Sequence, residues 1–268
     1  MNPYTIVTVM LGMNRFHHKD ADHPFDMHAL DGYNTIWMPE VDEEERVCST
    51  LFYEALQATE MVRNNHGNTK DNFVFIFGRG TIGRSQEERL FEAWRSCMQY
   101  YGNDVRHIVV AKSFGVGDTM TALKKFRPYH RKPNVEGLFL IDGFIPPSRR
   151  RKIAKKTNGN WKIKVPKFVN HYFNIVQRIR GTQGARVLDS NYNFVVDQSH
   201  IDRHGKYYSE YKGDYKRLLT TSHFNMEEIV SAIPCIRIQQ DWLTLRFAIQ
   251  RIIDCYYKDR IVRSGIFG

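Results

Sequence analysis

Apolar residues along this chain come in short runs, each cut off by glycine or by polar turn formers. Thr5 to Leu11 (TIVTVML), Phe73 to Phe77 (FVFIF), His107 to Val110 and Val135 to Ile141 (VEGLFLI) are the clearest. They are too short for buried helices, and they match strands covered on both faces. Thr35 to Val41 is a shorter strand candidate. Between the runs the apolar spacing turns helical. Glu43 to Arg63 carries Val47, Leu51, Ala55, Leu56 and Met61, and it frays at Asn64-Asn65-His66-Gly67. Gln86 to Tyr101 is entered by Ser85 and ends at Gly102, and Asp118 to Phe126 is a third helix. Strands alternating with helices predict an α/β protein with a mostly parallel sheet, flanked by helices and joined by right-handed crossovers. Ligands of such sheets sit at the carboxyl ends of the strands. Ser113, Asp142 and the 78–85 loop are therefore expected on one rim.

The alternation breaks between residues 144 and 184. Pro146-Pro147, a basic run, Asn158-Gly159-Asn160 and a helical pattern over Pro166 to Ile179 follow one another there. The segment reads as a basic cap or lid inserted into a single domain spanning 1–268. Beyond it, Ala185 to Leu188 is a weak strand candidate, and Tyr215 to Thr220 is a last strand leading into Ser222-His223-Phe224-Asn225-Met226. Ile236 to Tyr257 reads as an amphipathic helix.

Composition narrows the setting. A chain of 268 residues with 42% hydrophobic content can bury one large core. Its four cysteines, Cys48, Cys97, Cys235 and Cys255, are widely spaced, which predicts reduced thiols and a cytoplasmic location rather than a disulfide framework. Met1 to Met13 has no basic leader region and reads as a strand rather than a signal peptide, and no apolar stretch has the length of a membrane span. The net charge of +10 is unevenly placed. No acid lies between Asp142 and Asp189, while twelve cations do, among them Arg149, Arg150, Arg151, Lys152, Lys155 and Lys156. One segment, not the whole surface, faces something acidic or is strongly solvated.

The chemistry centres on Val109-Val110-Ala111-Lys112-Ser113-Phe114-Gly115. A β-branched run stops at a serine, small residues stand two before and two after it, and a helix-forming segment follows. That is the pattern of a nucleophile elbow, in which a tight, strained turn exposes a serine between strand and helix. The competing reading is a serine that merely caps the next helix. Acyl transfer also needs a histidine to take the hydroxyl proton and an acid to orient that histidine. Ser113, then Asp142 or alternatively Asp189, then His223 occur in that chain order.

With these residues the stretch from 73 to 145 resembles the α/β-hydrolase superfamily, whose triad runs Ser, acid, His. Phe73 to Phe77 followed by Arg79-Gly80, Gly83 and Ser85 is similar to the family's strand and RG-x-G-x-S loop. Ala111 to Gly115 resembles G-x-S-x-G with Ala111 in place of the first glycine, and Lys112 stands where the family often has histidine. Leu138 to Gly143 resembles the next strand, and Ser222 to Met226 the late histidine segment. The resemblance implies a lipase- or esterase-like serine hydrolase cleaving an ester, thioester or amide through an acyl-enzyme. Ser113 would attack, His223 would carry the proton, and Asp142 would orient it. The Phe114 N–H would bind the oxyanion, with a second donor expected from Gly12-Met13. No metal or organic cofactor is required.

Other patterns compete. Gly78-x-Gly80-x-x-Gly83 matches a dinucleotide fingerprint, but the next strand ends at Lys112-Ser113 and not at an acid. His17-His18-Lys19-Asp20-Ala21-Asp22-His23 resembles a metal-binding motif, and His200-x-Asp202-x-His204 is a sparser one. The partner expected of a hydrolase is a small acyl substrate, which a basic lid would allow to be acidic. A different class is a non-catalytic protein that binds nucleic acid or an anionic surface through 149–167, where Trp161, Phe168, Tyr172 and Phe173 lie near the cations.

Overall fold

The computed structural model describes residues 4–12, 32–38, 49–67, 72–80, 86–102, 104–178, 184–189, 192–197, 199 and 226–263. Its centre is a seven-stranded sheet of β1 (Thr5–Leu11), β2 (Asn34–Trp37), β3 (Phe73–Arg79), β4 (Arg106–Lys112), β5 (Asn134–Ile141), β8 (Val169–Gln177) and β9 (Asn193–Val196). Their order is β2-β3-β1-β4-β5-β8-β9, and every neighbouring pair is parallel. All carboxyl ends therefore share one rim. The predicted α/β class and parallel sheet are present.

Helices cover both faces. On one face lie α1 (Thr50–His66), α5 (Met226–Ala232) and α6 (Leu245–Arg263). On the other lie α2 (Glu87–Tyr101), α3 (Phe114–Lys125) and the single turn α4 (Arg150–Ile153). The continuous apolar strands serve both cores by alternation. Phe73, Phe75 and Phe77 of β3 face the first core, while Val74 and Ile76 face the second. In β4, Ile108 and Val110 face the first, and Val109 and Ala111 the second. Trp94 of α2 is fully buried and donates from its indole nitrogen to the Thr8 hydroxyl of β1 at 2.9 Å.

Several sequence expectations are corrected. Pro166 to Ile179 is not a helix. It holds β8, which pairs with β5 through Val135↔Val169 to Ile141↔Ile175. The 144–184 segment thus contributes an inner strand, and among its described residues 147–163 form elements outside the main sheet. That part comprises a turn at Pro147–Arg149, α4, and an antiparallel hairpin of β6 (Ala154–Thr157) and β7 (Asn160–Ile163). Ala185 to Leu188 forms only an isolated bridge, Val187 to Ile163. The third helix begins at Phe114 and not at Asp118. Ile236 to Tyr257 is not one helix either. A hairpin of β10 (Ile236–Ile238) and β11 (Asp241–Leu243) precedes α6, and it leaves Trp242 48% exposed. The strand expected at Tyr215 to Thr220 lies outside the described residues.

Among the described residues no helix is long and apolar enough to cross a membrane. Cys97, Cys235 and Cys255 are free thiols.

Candidate functional site

Ser113 is the one residue between β4 and α3, and its backbone is unusual. Its φ of 51° and ψ of −119° put a residue with a side chain in a region that such residues rarely occupy. Holding it there costs about 1–3 kcal/mol, which the surroundings must over-determine. They do so through three backbone bonds. The Ser113 N–H donates to the Ile141 carbonyl at 3.0 Å, and its own carbonyl accepts from Phe144 N at 2.8 Å and Val116 N at 3.2 Å. The Ser113 side chain makes no capping bond to α3. Ser113 holds the N-cap position without capping α3 through its side chain. As the first residue of α3, Phe114 has an N–H without an intrahelical partner, the property an oxyanion donor needs.

Glycines let three elements crowd this turn. A methyl group on Gly115 would stand 2.4 Å from the Met10 carbonyl oxygen, so only hydrogen lets α3 start against the end of β1. A methyl on Gly12, just past β1, would lie 2.5 Å from Ser113 Cβ and 3.0 Å from its Oγ. Gly12 is therefore the nearest backbone to the hydroxyl from that strand, on the side where a second oxyanion donor was expected; Met13 lies outside the described residues. Gly80, past β3, abuts the Gly115 amide and the Asp118 carboxylate. Gly78 is wedged between the sulfurs of Met10 and Met38. These close contacts explain both glycines as packing residues without a dinucleotide; Gly83 and Ser85 are outside the described residues.

Asp142 stands beside Ser113 at the end of the neighbouring strand, where Lys112 and Ile141 are register partners. It is fully buried and also has a positive φ, 42°. Its N–H donates to the Ile175 carbonyl at 2.7 Å. Its Oδ1 accepts from Gly184 N at 2.8 Å and Gln177 N at 3.3 Å. The carboxylate is thus fixed by backbone donors from β8 and from the strap that follows it. Asp189 is placed differently. It is exposed, precedes β9, and lends its carbonyl to the Asn193 side chain at 2.9 Å. The loop leaving the carboxyl end of β8, residues 178–183, holds no acid at all. Of the two candidate acids, the structure brings only Asp142 beside Ser113.

His223 lies outside the described residues, but α5 begins three positions later. Glu227 in its first turn accepts from Lys112 Nζ at 2.8 Å, with both side chains largely buried. The residue preceding Ser113 thus tethers the helix that follows His223. No sequence signal ties positions 112 and 227. Lys112 reads only as a departure from the histidine common at that place.

A second charge cluster escapes sequence reading as well. Arg149, counted there with the solvated cations, is 14% exposed at its side chain and bonds Asp118 and, at 3.0 Å, Glu87. Asp118 also accepts from Gln86 N at 3.3 Å. Burial raises the Asp118 pKa, and the adjacent Arg149 opposes that shift. This network pins the first turns of α2 and α3 together behind the elbow. In front of it the rings of Phe114 and Phe144 pack at 4.5 Å, each only half-buried.

Among the described residues no group of three or more His, Cys, Asp or Glu side chains is arranged to hold a metal. The His17–His23 and His200–His204 patterns lie outside them. No protein-family model matches the chain, and no curated protein is significantly similar to it.

Proposed function

We propose that the protein is a serine hydrolase of the α/β-hydrolase type, acting on esters, thioesters or amides through an acyl-enzyme. The observation that carries this reading is the backbone of Ser113. A serine held at φ 51° between a parallel strand and a helix, and not capping that helix, needs a reason other than packing. In the proposed cycle Ser113 Oγ attacks the substrate carbonyl and passes its proton to His223. The tetrahedral oxyanion is met by the Phe114 N–H and by a donor from the end of β1 around Gly12-Met13. His223 then protonates the leaving group, which departs as the acyl-serine forms. Water, deprotonated by the same histidine, releases the acid and restores the serine.

Asp142 is the acid of choice because it is fixed beside Ser113 and the loop after β8 offers none. For His223, the Lys112–Glu227 tether leaves four residues of chain to cover, at most about 14 Å when extended. The side-by-side rings of Phe114 and Phe144 favour an apolar acyl or leaving group. Among the described residues of the 144–184 segment, 147–163 are the part available for the role of a cap.

Labelling with a fluorophosphonate probe tests the reading. The wild-type chain is expected to label, and Ser113→Ala to lose the label along with hydrolysis of a short p-nitrophenyl ester, by roughly a thousandfold or more. Labelling that persists in Ser113→Ala would sink it. The alternative, a non-catalytic protein with an acidic partner, expects no label on either chain.

A further inference from the structure

The basic segment divides in two. Arg149 is consumed by Asp118 of α3 and Glu87 of α2. The remaining cations gather elsewhere. Lys124, in the last turn of α3, donates to the Lys152 carbonyl of α4. Burial and then the charges of Arg127, Lys152 and Lys164 lower its pKa, so these four cations lie close together. The last turn of the 12-residue α3 is about 18 Å along the helix from Ser113. Lys164 N donates to the Ile153 carbonyl at 2.9 Å, which sets the base of the β6–β7 hairpin beside this cluster.

On the hairpin Lys155 is paired with Lys162 and Lys156 with Trp161. Like charges directly opposite on an antiparallel pair destabilise it, and a lone two-stranded hairpin has little stability to spare. Among the described residues none of Lys152, Lys155, Lys156, Lys162 or Lys164 has a carboxylate partner. The Trp161 ring is partly exposed and makes no aromatic contact among those residues.

We infer that hairpin β6–β7 with the last turn of α3 and α4 forms a binding surface for single-stranded nucleic acid, separate from the elbow. Side chains alternate along the hairpin, so Lys156 and Trp161 share one face and Lys155 and Lys162 the other. Lys156 and the cations at the hairpin's base meet the phosphates, and Trp161 offers a face on which an unpaired base stacks. A membrane surface would use the same charge but would gain from several exposed apolar side chains, and the hairpin presents one ring. The surface does not depend on Ser113 being a nucleophile.

Fluorescence anisotropy with a labelled oligothymidylate of roughly 20 nucleotides tests this on the full chain. Four phosphate contacts would make affinity fall by about 50-fold between about 50 and 200 mM salt. The double variant Lys152→Glu with Lys156→Glu should flatten the logarithmic salt slope by about 1.4, and Trp161→Ala should weaken binding about tenfold. An unchanged melting temperature shows that each variant is folded. Binding that ignores both variants, equal affinity for duplex unaffected by Trp161→Ala, or binding to phosphatidylserine vesicles but not to the oligonucleotide would each overturn the assignment.

Discussion

The elbow rim and the β6–β7 hairpin handle charge in opposite ways. At the elbow Lys112 is matched by Glu227, and Arg149 by Asp118 and Glu87. These pairs are largely buried, and each ties a separate helix to the turn that holds Ser113. On the hairpin, Lys155 faces Lys162 across the ladder with no carboxylate among the described residues to balance them. A single basic stretch of sequence therefore contains both a structural clamp and a solvent-facing field. Charge count alone does not distinguish them; burial and partners do.

Four substitutions break or sharpen this contrast. The largest effect belongs to the packing beneath the elbow. Gly115→Ala would drive a methyl against the Met10 carbonyl and should lower stability by about 3 kcal/mol, read by urea unfolding, along with loss of any labelling at Ser113. Next, Lys112→Met strands Glu227 in a mostly buried place and should cost about 2–3 kcal/mol. Adding Glu227→Gln should recover much of that loss, an outcome that a purely steric role for Lys112 would not give.

A comparable effect depends on pH. His107 is fully buried against Trp94 with neither ring nitrogen hydrogen-bonded, and burial pushes its pKa down to about 3. Because the folded-state value lies below the unfolded one, near 6.5, the unfolded chain binds more protons between those values. Stability is therefore complete above pH 6.5 and declines as pH falls, by about 2–3 kcal/mol at pH 4.5. In His107→Leu that component should vanish from melting curves taken across this range. The smallest effect has the opposite sign. Lys155→Glu turns a repulsive cross-strand pair into an attractive one and should stabilise the fold by a few tenths of a kcal/mol up to about 1 kcal/mol. A destabilised variant would show that the hairpin lysines are not in the tension described.

The sheet was largely readable from the chain. Four of its strands are mostly apolar runs with sharp ends, a pattern that double burial explains. The misread elements have mixed patterns. Val169–Gln177 (VNHYFNIVQ) places Asn170 and His171 on its outer half and Asn174 deep inside, where its amide donates to the Asn193 side chain at 2.8 Å. Polar residues at those spacings imitate a helical period. Phe114 to Gly117 hid the start of α3 because two of its four residues are glycines, retained for close approach and not for helix formation. For the site, Ser113 and Asp142 were legible because strand ends announce themselves. The Lys112–Glu227 and Arg149–Asp118 pairs were not, since their partners are 115 and 31 positions apart and no local periodicity links them.

The sheet order also bears on how the chain is made. β1 is the first described strand to leave the ribosome, yet in the finished sheet it lies between β3 and β4, whose register partners begin at Phe73 and Arg106. The edge that pairs with β4 stays open until about a hundred further residues have been synthesised, a wait of roughly 5–20 seconds. A nascent chain stalled before Lys112 carries a strand destined for full burial with one flank bare, so this interval is where a chaperone would be needed most.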